Sequence, residues 1–216
     1  MDGVLATSTG IKEFFSRLIP EEKIHVIFNP VEKQGANLAR PANTPKFIYV
    51  GRLTDFDKNI SFLLRSLSRL KDEIWSLDIF GAGPDQNKLK NLSSKLGLEN
   101  KIRWIGFYSE PFSLVQECTA LLLTSRFEGF GLVLVEANAH GIPVISSNCL
   151  AGPEDIVIEG VNGYLFPEGD LEAFVNILRK VIRGELNFAS PGEIARTAER
   201  FSPEAFYERL KSALEL

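Results

Sequence analysis

Leu121-Leu122-Leu123-Thr124-Ser125-Arg126-Phe127-Glu128-Gly129-Phe130-Gly131-Leu132-Val133-Leu134-Val135-Glu136-Ala137 places a strand, a loop and a helix in one short run. The apolar residues ending at Ser125 predict a fully buried strand. A helix is expected to start near Leu132. Gly129 and Gly131 remove side-chain bulk, so a ligand can approach the backbone closely. The first turn, at Leu132 and Val133, offers N–H groups with no intrahelical acceptor, and with the helix dipole these make an anion site suited to phosphate. Glu128 and Glu136 bracket the loop. Glu136 lies among Val133, Leu134, Val135 and Ala137, a poor place for a lone charge unless something pairs with it. A ribose diol suits, since one carboxylate accepts from both hydroxyls. The plain alternatives are a structural Arg or Lys beside Glu136, and solvation for Glu128.

Outward from this run, strand-like and helix-like segments alternate. Strands are predicted at 47–50, 76–80, 102–105, 143–146 and 164–166. Helices are predicted at about 60–70, 86–96, 111–118, near 153, from the Asp170 cap to about 182, and at 203–214. Nearer the start, 3–7 ends a strand, Ser8 or Thr9 caps a helix over 10–18, and 23–31 gives a short strand and turn. Residues 32–45, with Gly35, Pro41 and Pro45, predict a linker or loop. Such alternation implies an α/β fold with a parallel sheet covered on both faces. Ligands of such sheets sit beyond the carboxyl ends of the strands.

At 216 residues and 44% hydrophobic, the chain can bury a real core, as one domain or one and a fragment. Net charge is −4 with scattered basic residues, which argues against a nucleic-acid partner. No apolar run reaches the ~18 residues that span a bilayer, and the N-terminus lacks a signal-peptide layout. Cys118 and Cys149 lack metal-ligand spacing, and a reducing cytoplasm fits so few thiols. His25 and His140 are isolated and read as structural. No metal site is expected.

Other strand ends carry further candidates. Gly51-Arg52-Leu53-Thr54-Asp55-Phe56-Asp57-Lys58 puts Arg52 just after a strand and Lys58 before a helix, where both could converge on a diphosphate or pair with Asp55 or Asp57. Gly81-Ala82-Gly83-Pro84-Asp85-Gln86 opens a helix but lacks the third glycine of a dinucleotide loop, Gln86 standing there. It reads equally as a site wall or as a tight turn. Ile105-Gly106-Phe107-Tyr108 ends another strand.

A Glu, seven residues and a Glu, with Gly-Phe-Gly after the first, resembles the signature of family-4 retaining glycosyltransferases of the GT-B fold. The likeness runs from about Ile24 to Asp170. Segments 24–31, 121–125 and 178–185 look most like lipopolysaccharide α-1,6-galactosyltransferases of the bacterial core. Gly152-Pro153-Glu154-Asp155-Ile156 and Gly160-Val161-Asn162-Gly163-Tyr164-Leu165 match downstream family segments, the latter as a turn in which Gly163 serves backbone shape. The resemblance implies a Rossmann-like, doubly wound, donor-binding domain at 31–216. Residues 1–30 resemble the tail of the N-terminal acceptor domain and the interdomain linker.

By the same resemblance the substrate is a UDP-hexose, UDP-galactose among them, and no cofactor or metal is needed. Arg52 and Lys58 would hold the pyrophosphate, Glu136 the ribose, and Glu128 the donor sugar and the positive charge building at the anomeric carbon. Gly51, Gly81, Gly83, Gly129, Phe130, Gly131, Leu132 and Val133 would line the donor, with Ile105, Gly106 and Phe107 against the uracil. A glycan or glycolipid acceptor would bind through the N-terminal domain that this sequence lacks, so the chain is expected to hold donor yet transfer sugar poorly by itself. Location is expected in the cytoplasm, with the full-length enzyme at the inner face of the membrane. Apolar surface uncovered on residues 1–30 and the last helix would favour a homodimer. The alternatives are a donor-binding module serving a separate acceptor-binding chain, and a GT-B-like sugar-nucleotide epimerase or hydrolase. A nicotinamide dehydrogenase is disfavoured by Gln86.

Overall fold

The computed structural model describes residues 3–32 and 38–214. The chain opens with β1 (Val4–Ala6), α1 (Thr9–Phe15) and β2 (Ile24–Val26), the two strands pairing in parallel. Then come β3 (Arg40–Pro41), β4 (Lys46–Val50), α2 (Asp55–Lys58), α3 (Ile60–Ser68), β5 (Ser76–Phe80), α4 (Gln86–Lys95) and β6 (Ile102–Gly106). After β7 (Glu117–Cys118) and β8 (Ala120–Leu123) follow α5 (Leu132–Ala139), β9 (Val144–Asn148), α6 (Pro153–Ile156), β10 (Gly163–Pro167), α7 (Leu171–Ile182), α8 (Pro191–Ala198) and α9 (Pro203–Ala213).

Six strands form one parallel sheet in the order β10-β9-β8-β4-β5-β6. The chain starts in the middle at β4, winds outward through β5 to β6, returns to β8 and winds the other way. The switch point therefore lies between β4 and β8, whose carboxyl ends lead into Gly51-Arg52 and into Thr124–Gly131. In a doubly wound sheet that crevice is where ligands bind.

Side-chain alternation explains why both faces are filled. Phe47 and Tyr49 of β4, and Ala120 and Leu122 of β8, face a layer built on α3 and α7, with Leu63, Leu64, Leu67, Phe174 and Leu178 buried there. Ile48, Leu121 and Leu123 point the other way, onto Leu134, Val135, Ala137 and Phe201. A strand covered on both faces needs no polar face, which is why these strands read as continuous apolar runs.

Several elements depart from expectation. Residues 111–118 form a 3-10 turn (Pro111–Leu114) and then β7, which pairs with β3. The apolar spacing of Phe112, Leu114 and Val115 imitates a helix, but no side chain caps one at Glu110. The helices α2 and α8 and the strand β3 were not anticipated. The predicted loop at 32–45 contains β3, and its residues 33–37, Gly35 included, lie outside those described. Gly163 is the first residue of β10, and a Cβ there would come 2.3 Å from the Val144 carbonyl oxygen. Close strand approach, rather than backbone shape, calls for that glycine. Leu5, Phe14, Leu18 and Tyr207 are exposed, as expected for the first thirty residues and the last helix.

Candidate functional site

The two loops at the switch point are tied together. The Arg126 N–H donates to the Asp57 carbonyl at 2.8 Å, and Thr124 Oγ1 donates to the Lys58 carbonyl at 3.1 Å. Between them Lys58 Nζ meets Glu128 Oε1 at 2.6 Å. Ser125 Oγ donates to the same oxygen, also at 2.6 Å, and Ser147 Oγ in turn holds the Ser125 carbonyl. One carboxylate oxygen of Glu128 thus carries both bonds, and Oε2 has no partner among the described residues. Lys58 and Glu128 pair with each other, not with Asp55, which bonds Lys88 and the Ser61 N–H.

Arg52 lies between β4 and α2, on the cavity lined by Gly81 and Phe107. Its side chain is exposed and has no ion pair among the described residues. Its carbonyl accepts from the Tyr49 hydroxyl at 3.1 Å. Burial, with Glu128 nearby, pushes the Tyr49 phenol far above its ordinary range, so it stays a donor. Cys149, also close to Glu128, is pushed up to about 11 by burial and that charge, which makes it a poor nucleophile.

The glycines divide into two kinds. A Cβ on Gly81 would stand 1.9 Å from the Gly51 carbonyl oxygen, and one on Gly83 2.4 Å from that of Leu53. Those residues are therefore glycine because the loops after β4 and β5 lie against each other. Gly81 and Gly51 still line a cavity with Arg52, Phe107, Tyr108 and Pro111. A Cβ on Gly129, by contrast, would meet nothing within 4 Å. Gly131 has φ +92° and stands at the N-cap of α5, where no side chain caps the helix.

A second cavity of about 260 Å³ shares Pro111 with the first and is lined by Leu132, Glu136, His140, Glu32, Glu110 and Phe112 among others. Glu136 has no ion pair and no hydrogen bond to its carboxylate among the described residues, which removes the structural-partner alternative within them. Burial holds its carboxyl above the usual carboxylate range, with His140 partly opposing. His140 donates Nδ1–H to the Glu136 carbonyl at 2.8 Å and stacks on Phe112, a structural role.

That raised value has a sign. A carboxyl that is harder to ionise in the folded state binds protons more readily there than in the unfolded chain. From the ordinary carboxylate range upward, stability falls as pH rises, levelling off above the folded-state value. Glu136→Gln is expected to raise the melting temperature near pH 7 and to flatten that slope, as melts between about pH 4 and pH 8 would show. A lower melting temperature for the Gln variant would mean that the carboxylate has a stabilising partner.

One sequence expectation needs adjustment. Phe130 is buried, stacked on Phe28 at 5.7 Å and edge-on to Phe201, so its ring belongs to the core and only its backbone can face a ligand. Phe107 and Tyr108 are exposed. Ser125, which orients Glu128, and Glu110, which lines the second cavity, escaped sequence reading. The first was visible only as the end of an apolar run, and nothing marked the second.

The sheet order and the crevice between β4 and β8 define a doubly wound α/β domain. This chain belongs to the family described as Glycosyl transferases group 1, which it matches over residues 30–212. It is 39% identical over 218 residues to the lipopolysaccharide 1,6-galactosyltransferase of Escherichia coli K12, covering 97% of this chain and 60% of that protein. The Salmonella typhimurium counterpart gives the same identity and coverage. The solved apo form of the lipopolysaccharide outer core galactosyltransferase WaaB superposes with a TM-score of 0.91 at 38% identity, covering 99% of this chain and 61% of that one. The chain thus spans about three-fifths of the length of these relatives. The fold is the Rossmann-like α/β arrangement of GT-B glycosyltransferases. Among the described residues, no helix is long and apolar enough to cross a membrane.

Proposed function

We propose that this chain is the donor-binding part of a retaining, family-4 glycosyltransferase that takes a UDP-hexose, with galactose the sugar its relatives' names favour. The observation that carries the reading is Glu136, a half-buried carboxylate without a partner among the described residues, facing a cavity one turn inside a helix that no side chain caps. A carboxylate held at that cost to stability suits a ligand that supplies donors, and a ribose diol supplies two.

In this reading the pyrophosphate lies against Arg52, Lys58 and the N–H groups of Leu132 and Val133, while Phe107 and Gly106 flank the base. The bond from the anomeric carbon to the β-phosphate oxygen breaks, and the acceptor hydroxyl oxygen bonds that carbon on the same face. Its proton passes to the departing phosphate. Preorganised donors stabilise the developing phosphate charge, and Glu128 Oε2 meets donor-sugar hydroxyls and the charge at the anomeric carbon. Residues 1–30 are read as the tail of an acceptor-binding domain, and the β1–β2 pair with exposed Leu5 supports this. The same exposed Leu5, Phe14 and Leu18 also favour the second reading, a module completed by a separate acceptor-binding chain.

Calorimetry with UDP and several UDP-hexoses tests the assignment. A hydrogen bond to a charged group contributes ~1.5–3 kcal/mol, so Glu136→Ala is expected to weaken UDP about 10- to 100-fold. Glu128→Ala is expected to spare UDP and weaken the UDP-hexose. Unchanged UDP affinity in Glu136→Ala would remove the ribose role.

A further inference from the structure

Beside the Lys58–Glu128 pair, three large apolar side chains stand in solvent. Phe56 is 79% exposed, Phe127 47% and Leu150 64%. Phe56 and Phe127 meet edge to face at 5.9 Å, and Phe127 bridges Leu150 through the backbone. Their positions are built rather than incidental. Arg126 Nη1 donates to the carbonyls of both Asp55 and Phe56, at 2.9 and 2.7 Å, pinning the Phe56 turn to the Phe127 loop. The guanidinium's other N–H groups remain unpartnered among the described residues, at the rim of the patch.

We propose that Phe56, Phe127 and Leu150 form a platform on which a sugar ring of the acceptor saccharide lies, with Arg126 bonding its hydroxyls. This rests on the reading of the neighbouring site as one for sugar transfer. A pyranose has an apolar C–H face and a rim of hydroxyls, and two rings edged by the remaining N–H groups of the Arg126 guanidinium are the complement of that shape. Continuity with the site favours this occupant: Phe127 precedes Glu128 in sequence, and Phe56 lies two residues before Lys58. Size favours it too. Three side chains match one or two sugar rings, whereas a stable contact with a second copy needs about 20–30 residues on each side.

The test uses this chain saturated with UDP, and methyl α-glucopyranoside and methyl α-galactopyranoside as probes, followed by saturation-transfer NMR. Expected is saturation concentrated on the C–H protons of one ring face. Phe56→Ala and Phe127→Ala should each weaken glycoside binding by about three- to tenfold, while Phe127→Trp keeps it. Calorimetric UDP affinity should be the same in all of them. Glycoside affinity indifferent to both alanine substitutions, or no saturation in the parent chain, overturns the platform while the donor reading stands. Sedimentation showing that the substitutions instead abolish self-association also overturns it and makes the patch a contact between copies. Loss of vesicle binding in place of glycoside binding overturns it in favour of a lipid surface. A parent chain that binds no UDP overturns the donor reading on which the platform rests.

Discussion

Gly152→Ala is expected to lower the melting temperature by about 10 °C, while Gly129→Ala leaves it nearly unchanged. Gly129 lies in the glycine loop before α5, and Gly152, from the loop after β9, packs against it at Phe130. Gly152 has φ +108°, and a Cβ there would stand 1.8 Å from the Phe130 carbonyl oxygen. An alanine pays twice: ~1–3 kcal/mol for the backbone conformation and a similar amount for pushing a backbone carbonyl aside. The combined ~2–6 kcal/mol converts at roughly 2–4 °C per kcal/mol in a chain of this size. Gly129 has open space where the Cβ would go, so its variant should fold as well as the parent. If ligand backbone contact is why Gly129 is glycine, its alanine variant should lose about tenfold in UDP-hexose affinity, or ~1.4 kcal/mol. Thermal melts and calorimetry on the two variants separate the roles. A normal melting temperature for Gly152→Ala would mean that the loop yields easily, and a rigid anion site could not be built on it.

What could be read from the sequence was local, and what could not was brought together by the fold. The strand Ala120–Leu123 was legible because both its faces are covered, leaving an unbroken apolar run. The helix Leu171–Ile182 was legible because Asp170 caps it, accepting from the Ala173 N–H. The helix Pro191–Ala198 also had a legible start, since Ser190 and Glu193 make a reciprocal capping box. It was missed because Pro191 and Gly192 look like a turn when Pro at the first helical position is overlooked. Residues 111–118 failed for the opposite reason. Local spacing favoured a helix, but pairing of Glu117–Cys118 with Arg40–Pro41 decided the conformation. At the site, Glu128 and Glu136 could be picked out by their spacing around the glycines. That Lys58 spends its charge on Glu128, seventy residues away, is a property of the switch point.

That pairing shapes the other large prediction. Arg52→Ala and Lys58→Ala are each expected to weaken UDP about 10- to 100-fold, but they should differ in every other respect. Arg52 is exposed and unpaired among the described residues, so its loss should leave the melting temperature unchanged, and its contribution to UDP binding should fade as salt is raised. Arg52→Lys should recover only part of the affinity, because a point charge cannot reproduce a bidentate fork on phosphate. Lys58 is partly buried against a carboxylate whose side chain is 11% exposed, so removing it leaves Glu128 with Ser125 alone and should lower stability as well as affinity. The free protein also neutralises Lys58 before any phosphate arrives. Glu128→Gln should therefore bind UDP as tightly as the parent or more tightly, while the UDP-hexose loses the carboxylate its sugar requires. A pyrophosphate that shares Lys58 with Glu128 predicts this opposite response to the two ligands, and a site elsewhere predicts none. UDP affinity untouched by both Arg52→Ala and Lys58→Ala would move the pyrophosphate out of this crevice.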